Sequence, residues 1–147
     1  MIYIVDHKDS FTYNLVHLFS EFDVVCIANY FEVNYSKMAK SELIVFSSGP
    51  GAPNDYPTTS EIYKKFKGRK KIIGICLGFQ QILFNENGVI TQQKKIYHGY
   101  QSNVKTLKTS ALFKENKIFK VGRYHSLKLK EPFNSRETLV TMRCMET

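Results

Sequence analysis

Short apolar runs alternate with stretches of helical period through the first half of the chain. Ile2–Val5 reads as a strand. Phe11, Leu15, Leu18 and Phe19 recur at helical spacing, with Asp9 or Ser10 placed to cap the helix start. Val24–Ala28 and Leu43–Ser47 read as the second and third strands, and Ile72–Ile75 as the fourth. Glu61–Phe66 predicts a short helix, and Phe79–Phe84 another that stops at Asn85, Asn87 and Gly88. The strands are uninterrupted apolar runs, as expected when both faces of a sheet are covered. The pattern predicts an α/β fold with an open, mainly parallel sheet and helices on both faces. After Gly88 the texture changes. Val89–Thr91, Ser102–Leu107, Ile118–Val121 and Thr138–Met142 read as short strands joined by turns, a small antiparallel segment added to the sheet. No linker, repeat or low-complexity tract intervenes, so one domain over residues 1–147 is expected.

Composition narrows the class. The 147 residues are 43% hydrophobic and 23% charged, which suits a globular domain with a real core. No run has the length of a membrane span, and the chain opens on a strand rather than a signal peptide, so no membrane role is expected. The net charge of +8 invites a nucleic-acid reading. The basic residues are scattered, however, without a recognition helix or an aromatic-laced basic motif, so no nucleic-acid partner is expected. Solvated faces on a lysine-rich protein explain the charge more simply, and an acidic small substrate or partner surface would also fit. Cys26, Cys76 and Cys144 cannot all pair and lack metal-type spacing, which points to a reducing, cytoplasmic setting.

The candidate chemistry centres on Cys76. The run Lys71-Ile72-Ile73-Gly74-Ile75 leads straight into it, Gly78 follows, and a helix begins. A strand, sharp turn and helix with a thiol at the apex is the sulfur counterpart of the serine nucleophile elbow. The helix end is expected to favour thiolate. Such a cysteine is placed to attack a carbonyl. Cys26 in a strand and Cys144 near the end lack that setting. A second motif, Phe46-Ser47-Ser48-Gly49-Pro50-Gly51-Ala52-Pro53, follows directly on a buried strand. Its backbone N–H groups can line a pocket at the carboxyl edge of the sheet. With the Leu77 N–H they can stabilise the negative oxygen of a tetrahedral intermediate. A third, Val121-Gly122-Arg123-Tyr124-His125-Ser126-Leu127, says little by itself.

Taken together, the chain resembles the class I, triad-type glutamine amidotransferases. It is most similar to the glutaminase subunits (component II) of anthranilate synthase and aminodeoxychorismate synthase. The resemblance is carried by Val5-Asp6-His7-Lys8-Asp9-Ser10-Phe11-Thr12-Tyr13-Asn14-Leu15, Ser48-Gly49-Pro50-Gly51-Ala52-Pro53, Gly74-Ile75-Cys76-Leu77-Gly78-Phe79-Gln80, His98-Gly99 and Gly122-Arg123-Tyr124-His125-Ser126-Leu127. It implies a flavodoxin-like sheet and a catalytic Cys76 that forms a glutamyl thioester. It further implies that Gly49, Pro50, Gly51 and Leu77 form the loop and the N–H donors at the oxyanion and substrate. Gln80, Ser126 and Leu127 would bind glutamine. Ammonia would pass to a chorismate-binding synthase subunit (component I). No metal and no organic cofactor is implied.

The family's general base is a histidine in a His-Pro-Glu motif near the C-terminus, and no such motif lies in these residues. His7, His17, His98 and His125 are the histidines present, none followed by Pro-Glu. The expectation is therefore a class I glutaminase fold shortened at its C-terminus, inactive or weakly active alone, with an uncovered sheet region open to self-association. A non-catalytic partner or regulator with the same fold is the alternative. A flavin- or nucleotide-binding module fits poorly, because Asp6-His7-Lys8-Asp9 stands where a phosphate-cradling glycine loop is required.

Overall fold

A computed structural model describes residues 1–133 and 135–146; Asn134 and Thr147 lie outside the described residues. The chain forms two compact units, Met1–Ile90 and Thr91–Thr147. The first contains β1 (Ile2–Asp6), α1 (Thr12–Ser20), β2 (Val25–Asn29), α2 (Tyr35–Lys40), β3 (Leu43–Phe46), a 3₁₀ turn (Pro53–Asp55), α3 (Pro57–Phe66), β4 (Lys71–Gly74) and α4 (Leu77–Asn85). Its sheet runs in the order β2-β1-β3-β4. Every pair is parallel, with Val5 opposite Phe46 and Phe46 opposite Gly74.

The period of two along each strand sorts the core. Tyr3, Val5, Ile44 and Phe46 pack with Met38 of α2 and with Ile62, Tyr63 and Phe66 of α3. Ile2, Ile4 and Val45 pack on the opposite face against Val16 and Phe19 of α1. The expected parallel sheet with helices on both faces is therefore present. Its strand order reverses between β1 and β3, and open α/β sheets take their ligands beyond the carboxyl ends of the strands at such a point.

Several boundaries differ from the sequence expectation. Helix α2 was not expected; its start is capped by Asn34, whose side chain accepts the Lys37 N–H at 2.9 Å. Helix α1 starts from Phe11, whose side chain offers no acceptor, and Asp9, two residues earlier, accepts the Phe11 N–H instead. Phe11 and Leu18 are half exposed, so only part of the apolar stripe of α1 is buried. Helix α3 begins at Pro57, four residues before the expected Glu61, since proline suits a first helical turn.

In the second unit, β5 (Ile90–Thr106) is one long strand, not the two short ones expected at Val89–Thr91 and Ser102–Leu107. The polar run Gln92–Lys95 hid its continuity. β6 covers Ile118–Leu129 and β7 only Met142–Cys144, in the order β6-β5-β7. β7 pairs antiparallel with β5, Val104 facing Cys144 and Thr106 facing Met142. Thr138–Thr141, expected in a strand, lie outside it.

Two features at the carboxyl edge of the first unit fix later geometry. Helix α4 lies almost on the backbone of β3. A side chain at Gly78 would meet the Phe46 carbonyl oxygen, and its Cβ would fall 2.6 Å from the Phe46 Cβ. His7, just past β1, is buried between β3 and α3. Its Nδ1 lies 3.2 Å from the Ser47 hydroxyl, and its Nε2 lies 2.9 Å from the Thr59 hydroxyl. Loss of hydration drives its pKa from 6.5 down to about 4, against the opposing pull of the Ser47 bond and the Asp6 carboxylate.

Two outcomes follow. Gly78→Ala is expected to destabilise the protein by about 1–3 kcal/mol through overpacking, read as a lower urea midpoint at constant slope. His7 binds no proton in the folded state between its two pKa values, while the unfolded chain does, so stability falls as pH drops from 6.5 toward 4. The wild type is expected to lose about 2–3 kcal/mol more than His7→Gln between pH 7 and pH 4.5, measured by urea unfolding of both proteins. Equal losses would rule out a buried neutral imidazole.

Candidate active site

Cys76 sits between β4 and α4 with φ 51° and ψ −104°, the left-handed side of backbone space that a residue with a side chain rarely adopts. Such a conformation costs about 1–3 kcal/mol and persists only where packing dictates it. Here the Ile75 N–H donates to the Phe46 carbonyl at 3.0 Å, and the Gly78 N–H donates to those of Ser47 at 3.2 Å and Ile75 at 2.9 Å. A side chain at Gly74 would overlap the Gly78–Phe79 peptide. The turn is thus pinned on both sides, and the sulfur-bearing residue is exposed at its apex.

The thiol does not rest as readily ionised as the sequence suggested. Partial burial pushes its pKa up, the Leu77 N–H pulls it down, and the Asp9 carboxylate raises it again, leaving it above its ordinary value. The amino end of α4 is the only stabilising influence among the groups acting on it. No positive side chain or imidazole offsets the Asp9 charge among the described residues. The arrangement holds a directed nucleophile in a protonated resting state.

The glycine loop lies beside this turn. A Cβ on Gly49 would fall 2.8 Å from the Leu77 Cδ2 and 2.5 Å from the His7 Cβ, so only glycine lets the loop approach both. Gly51 has φ 75°, and the turn after it is closed by Asp55, whose carboxylate accepts the Ala52 N–H at 2.8 Å. The Pro50 carbonyl accepts the Tyr56 hydroxyl at 2.8 Å. Ser48 is buried, and its hydroxyl has no partner. Gln80 is buried one turn into α4, its N–H donating to the Cys76 carbonyl at 3.0 Å. Thus Gly49 packs directly on Leu77, the residue after Cys76, and Gln80 follows on the same helix; Pro50 and Gly51 extend the loop.

Ser126 and Leu127 belong to β6 of the second unit. There the Leu127 carbonyl lies 2.8 Å from Nδ1 of His125, whose Nε2 accepts from Arg123 at 3.4 Å. Both ring nitrogens of His125 are therefore engaged within its own unit. Arg123 is buried, donates to Gln93 at 3.0 Å and stacks on the Tyr97 ring at 3.6 Å. The residue that sequence reasoning passed over is His7. It falls in the opening motif, but only folding shows that it packs against Gly49. No group of His, Cys, Asp and Glu among the described residues could hold a metal.

The sequence profile of Glutamine amidotransferase class-I matches residues 3–147. Anthranilate synthase component 2 of Lactococcus lactis subsp. lactis is 36% identical over 133 residues, covering 89% of this chain and 67% of that protein. The protein of the same name from Cyanidium caldarium is 35% identical over 131 residues, covering 86% of this chain and 67% of the relative. This chain therefore spans about two thirds of their length. Among solved structures, a glutamine amido transferase from Methylobacillus flagellatus superposes with a TM-score of 0.76 at 14% identity, covering 99% of this chain and 61% of that one. A glutamine amidotransferase from Thermotoga maritima gives 0.73 at 14% identity, covering 96% and 65%. Sequence match and shared architecture agree, and the chain belongs to the class I glutamine amidotransferases.

Proposed function

We propose that this chain is the glutaminase subunit of a chorismate-aminating synthase, making anthranilate or 4-amino-4-deoxychorismate, in which Cys76 is the nucleophile. The observation that carries this reading is the pinned turn: an exposed thiol at a strained apex, with a glycine loop packed against the next residue. The kinship to proteins named anthranilate synthase component 2 supports the partner, a chorismate-binding component I.

In the proposed reaction the Cys76 sulfur loses its proton and bonds to the side-chain amide carbon of glutamine. The carbonyl oxygen becomes an oxyanion facing the N–H groups of Leu77 and of Gly49 and Gly51. Gln80, one turn into α4, holds the substrate. The C–N bond then breaks as a proton reaches nitrogen, ammonia leaves, and water cleaves the thioester. Oxyanion donors of this kind each supply a factor of about 10²–10³.

Proton transfer is the weak step in a polypeptide of these residues. His7 is enclosed by Ser47 and Thr59, His17 is exposed on α1, His98 is exposed on β5, and His125 is engaged within the second unit. The raised pKa of Cys76 agrees with a nucleophile waiting for a base. A positioned base contributes about 10²–10⁴ in rate. The same raised pKa favours a second reading, a non-catalytic partner that keeps the fold without turnover.

Three measurements separate these. A chloroketone shaped like L-glutamine is expected to add once, at Cys76, with Cys76→Ser unlabelled by intact mass; equal labelling of Cys26 or Cys144 would defeat the assignment. Iodoacetamide labelling of Cys76 is expected to reach half its limiting rate at a pH above the ordinary thiol value, and a midpoint near neutrality would show a base already in place. With glutamine and excess component I, glutamate release by the 147-residue protein is expected to run about 10²–10⁴ below that of a base-bearing relative. Release at the relative's rate contradicts the impaired reading, and a chain that never forms a glutamyl adduct with glutamine is the non-catalytic partner.

A further inference from the structure

The Gly49 and Gly51 N–H groups are useful to an oxyanion only if they point the right way, and a peptide plane can face either direction. Each N–H shares a rigid, planar amide with the carbonyl before it, so fixing that carbonyl fixes the N–H. The Ser48 carbonyl, which shares its amide with the Gly49 N–H, accepts the Ser47 hydroxyl at 2.6 Å. The Pro50 carbonyl, which shares its amide with the Gly51 N–H, accepts the Tyr56 hydroxyl at 2.8 Å. Both anchors meet at His7.

The Ser47 hydroxyl has one proton, and it goes to Ser48. Toward His7 the same oxygen can only accept. It accepts the His7 backbone N–H at 2.9 Å and faces Nδ1 at 3.2 Å, which places the ring proton on Nδ1. Nε2 is then an acceptor and takes the Thr59 hydroxyl at 2.9 Å. The ring also packs edge-on against Tyr56, centroids 4.8 Å apart. His7 is 1% exposed, every polar atom of its ring is satisfied, and its Cβ bounds the space where Gly49 lacks a side chain. Among the described residues neither the Gly49 nor the Gly51 N–H has an acceptor. Both are left free by a loop whose carbonyls are held.

We propose that His7 is a positioning residue for the oxyanion site: through Ser47 and Tyr56 it holds the Ser48–Gly49 and Pro50–Gly51 peptide planes and so sets the direction of the Gly49 and Gly51 N–H groups. The inference rests on the glutaminase reading above and assigns His7 no contact with substrate.

The test compares two reagents on the intact 147-residue protein. In the L-glutamine-shaped chloroketone, the Cys76 sulfur bonds to the chloromethyl carbon, chloride leaves, and the thiol proton passes to solvent; the ketone oxygen draws on the oxyanion donors. Iodoacetamide alkylates the same sulfur, iodide leaving, without a glutamine-shaped oxygen to seat. His7→Gln and Tyr56→Phe are each expected to slow the chloroketone by about 10–100-fold while iodoacetamide changes by less than about 2-fold. Parallel slowing of both reagents, or no change in either, overturns the inference. Tyr56→Phe removes one hydroxyl and keeps the ring, so it carries the test if near-UV circular dichroism shows that His7→Gln does not fold. A wild type that reacts equally with the L- and D-forms of the chloroketone fails as a glutamine site, and this inference falls with it. Wild-type selectivity that survives in both variants defeats His7 alone.

Discussion

The turn that carries Cys76 is set by how near α4 lies to the backbone of β3. Gly78 touches the Phe46 carbonyl with no side chain between, and Gly74 lies equally near the Gly78–Phe79 peptide. With the helix held there, the residue joining β4 to α4 has little room. It takes a positive φ and turns its side chain out of the sheet. The unfavourable backbone angle is offset by burial along α4, where Leu77, Gln81 and Leu83 are enclosed. The far end of the helix is tied as well: Glu86 is buried and accepts from Tyr63 at 2.7 Å and from Lys67 at 2.5 Å. Both ends of α4 are anchored, so the position of the sulfur follows from packing that lies well away from it.

The same crowding brings β1, β3 and α3 together at the carboxyl edge. His7, Ser47 and Thr59 come from three separate elements and share one hydrogen-bonded cluster. Burial disfavours a second proton on this imidazole, which already donates from Nδ1 to Ser47 and accepts at Nε2 from Thr59. The ring stays neutral and works as a spacer with two defined polar ends. Electrostatics at Cys76 follow a different balance. The helix end and the Leu77 N–H favour ionisation, but burial and Asp9 outweigh them.

Much of the first unit was legible from hydrophobic pattern alone. Unbroken runs such as Tyr3-Ile4-Val5 and Ile44-Val45-Phe46 are written by a sheet enclosed on both faces, and each is fully buried. The flanking glycines of Cys76 announced the turn because few other residues permit so near an approach. Less was legible where the determinant is not periodic. Helix α2 is too short for a stripe and depends on one Asn34 cap. Strand β5 is largely exposed, so no apolar alternation marks its middle. The raised pKa of Cys76 was not legible because burial, and after it Asp9, distant in sequence, act on the thiol only after folding. The role of His7 was hidden for the same reason: Ser47 and Thr59 are its neighbours in space alone.

An exposed sulfur in a strained turn would be a hazard if it rested as an anion, because peroxide attacks thiolate far faster than thiol. The raised pKa of Cys76 changes that balance. In its resting state the side chain presents a weakly nucleophilic S–H to solvent. The features that withhold ionisation, partial burial and a nearby carboxylate, therefore also shield the nucleophile from oxidants between encounters with substrate.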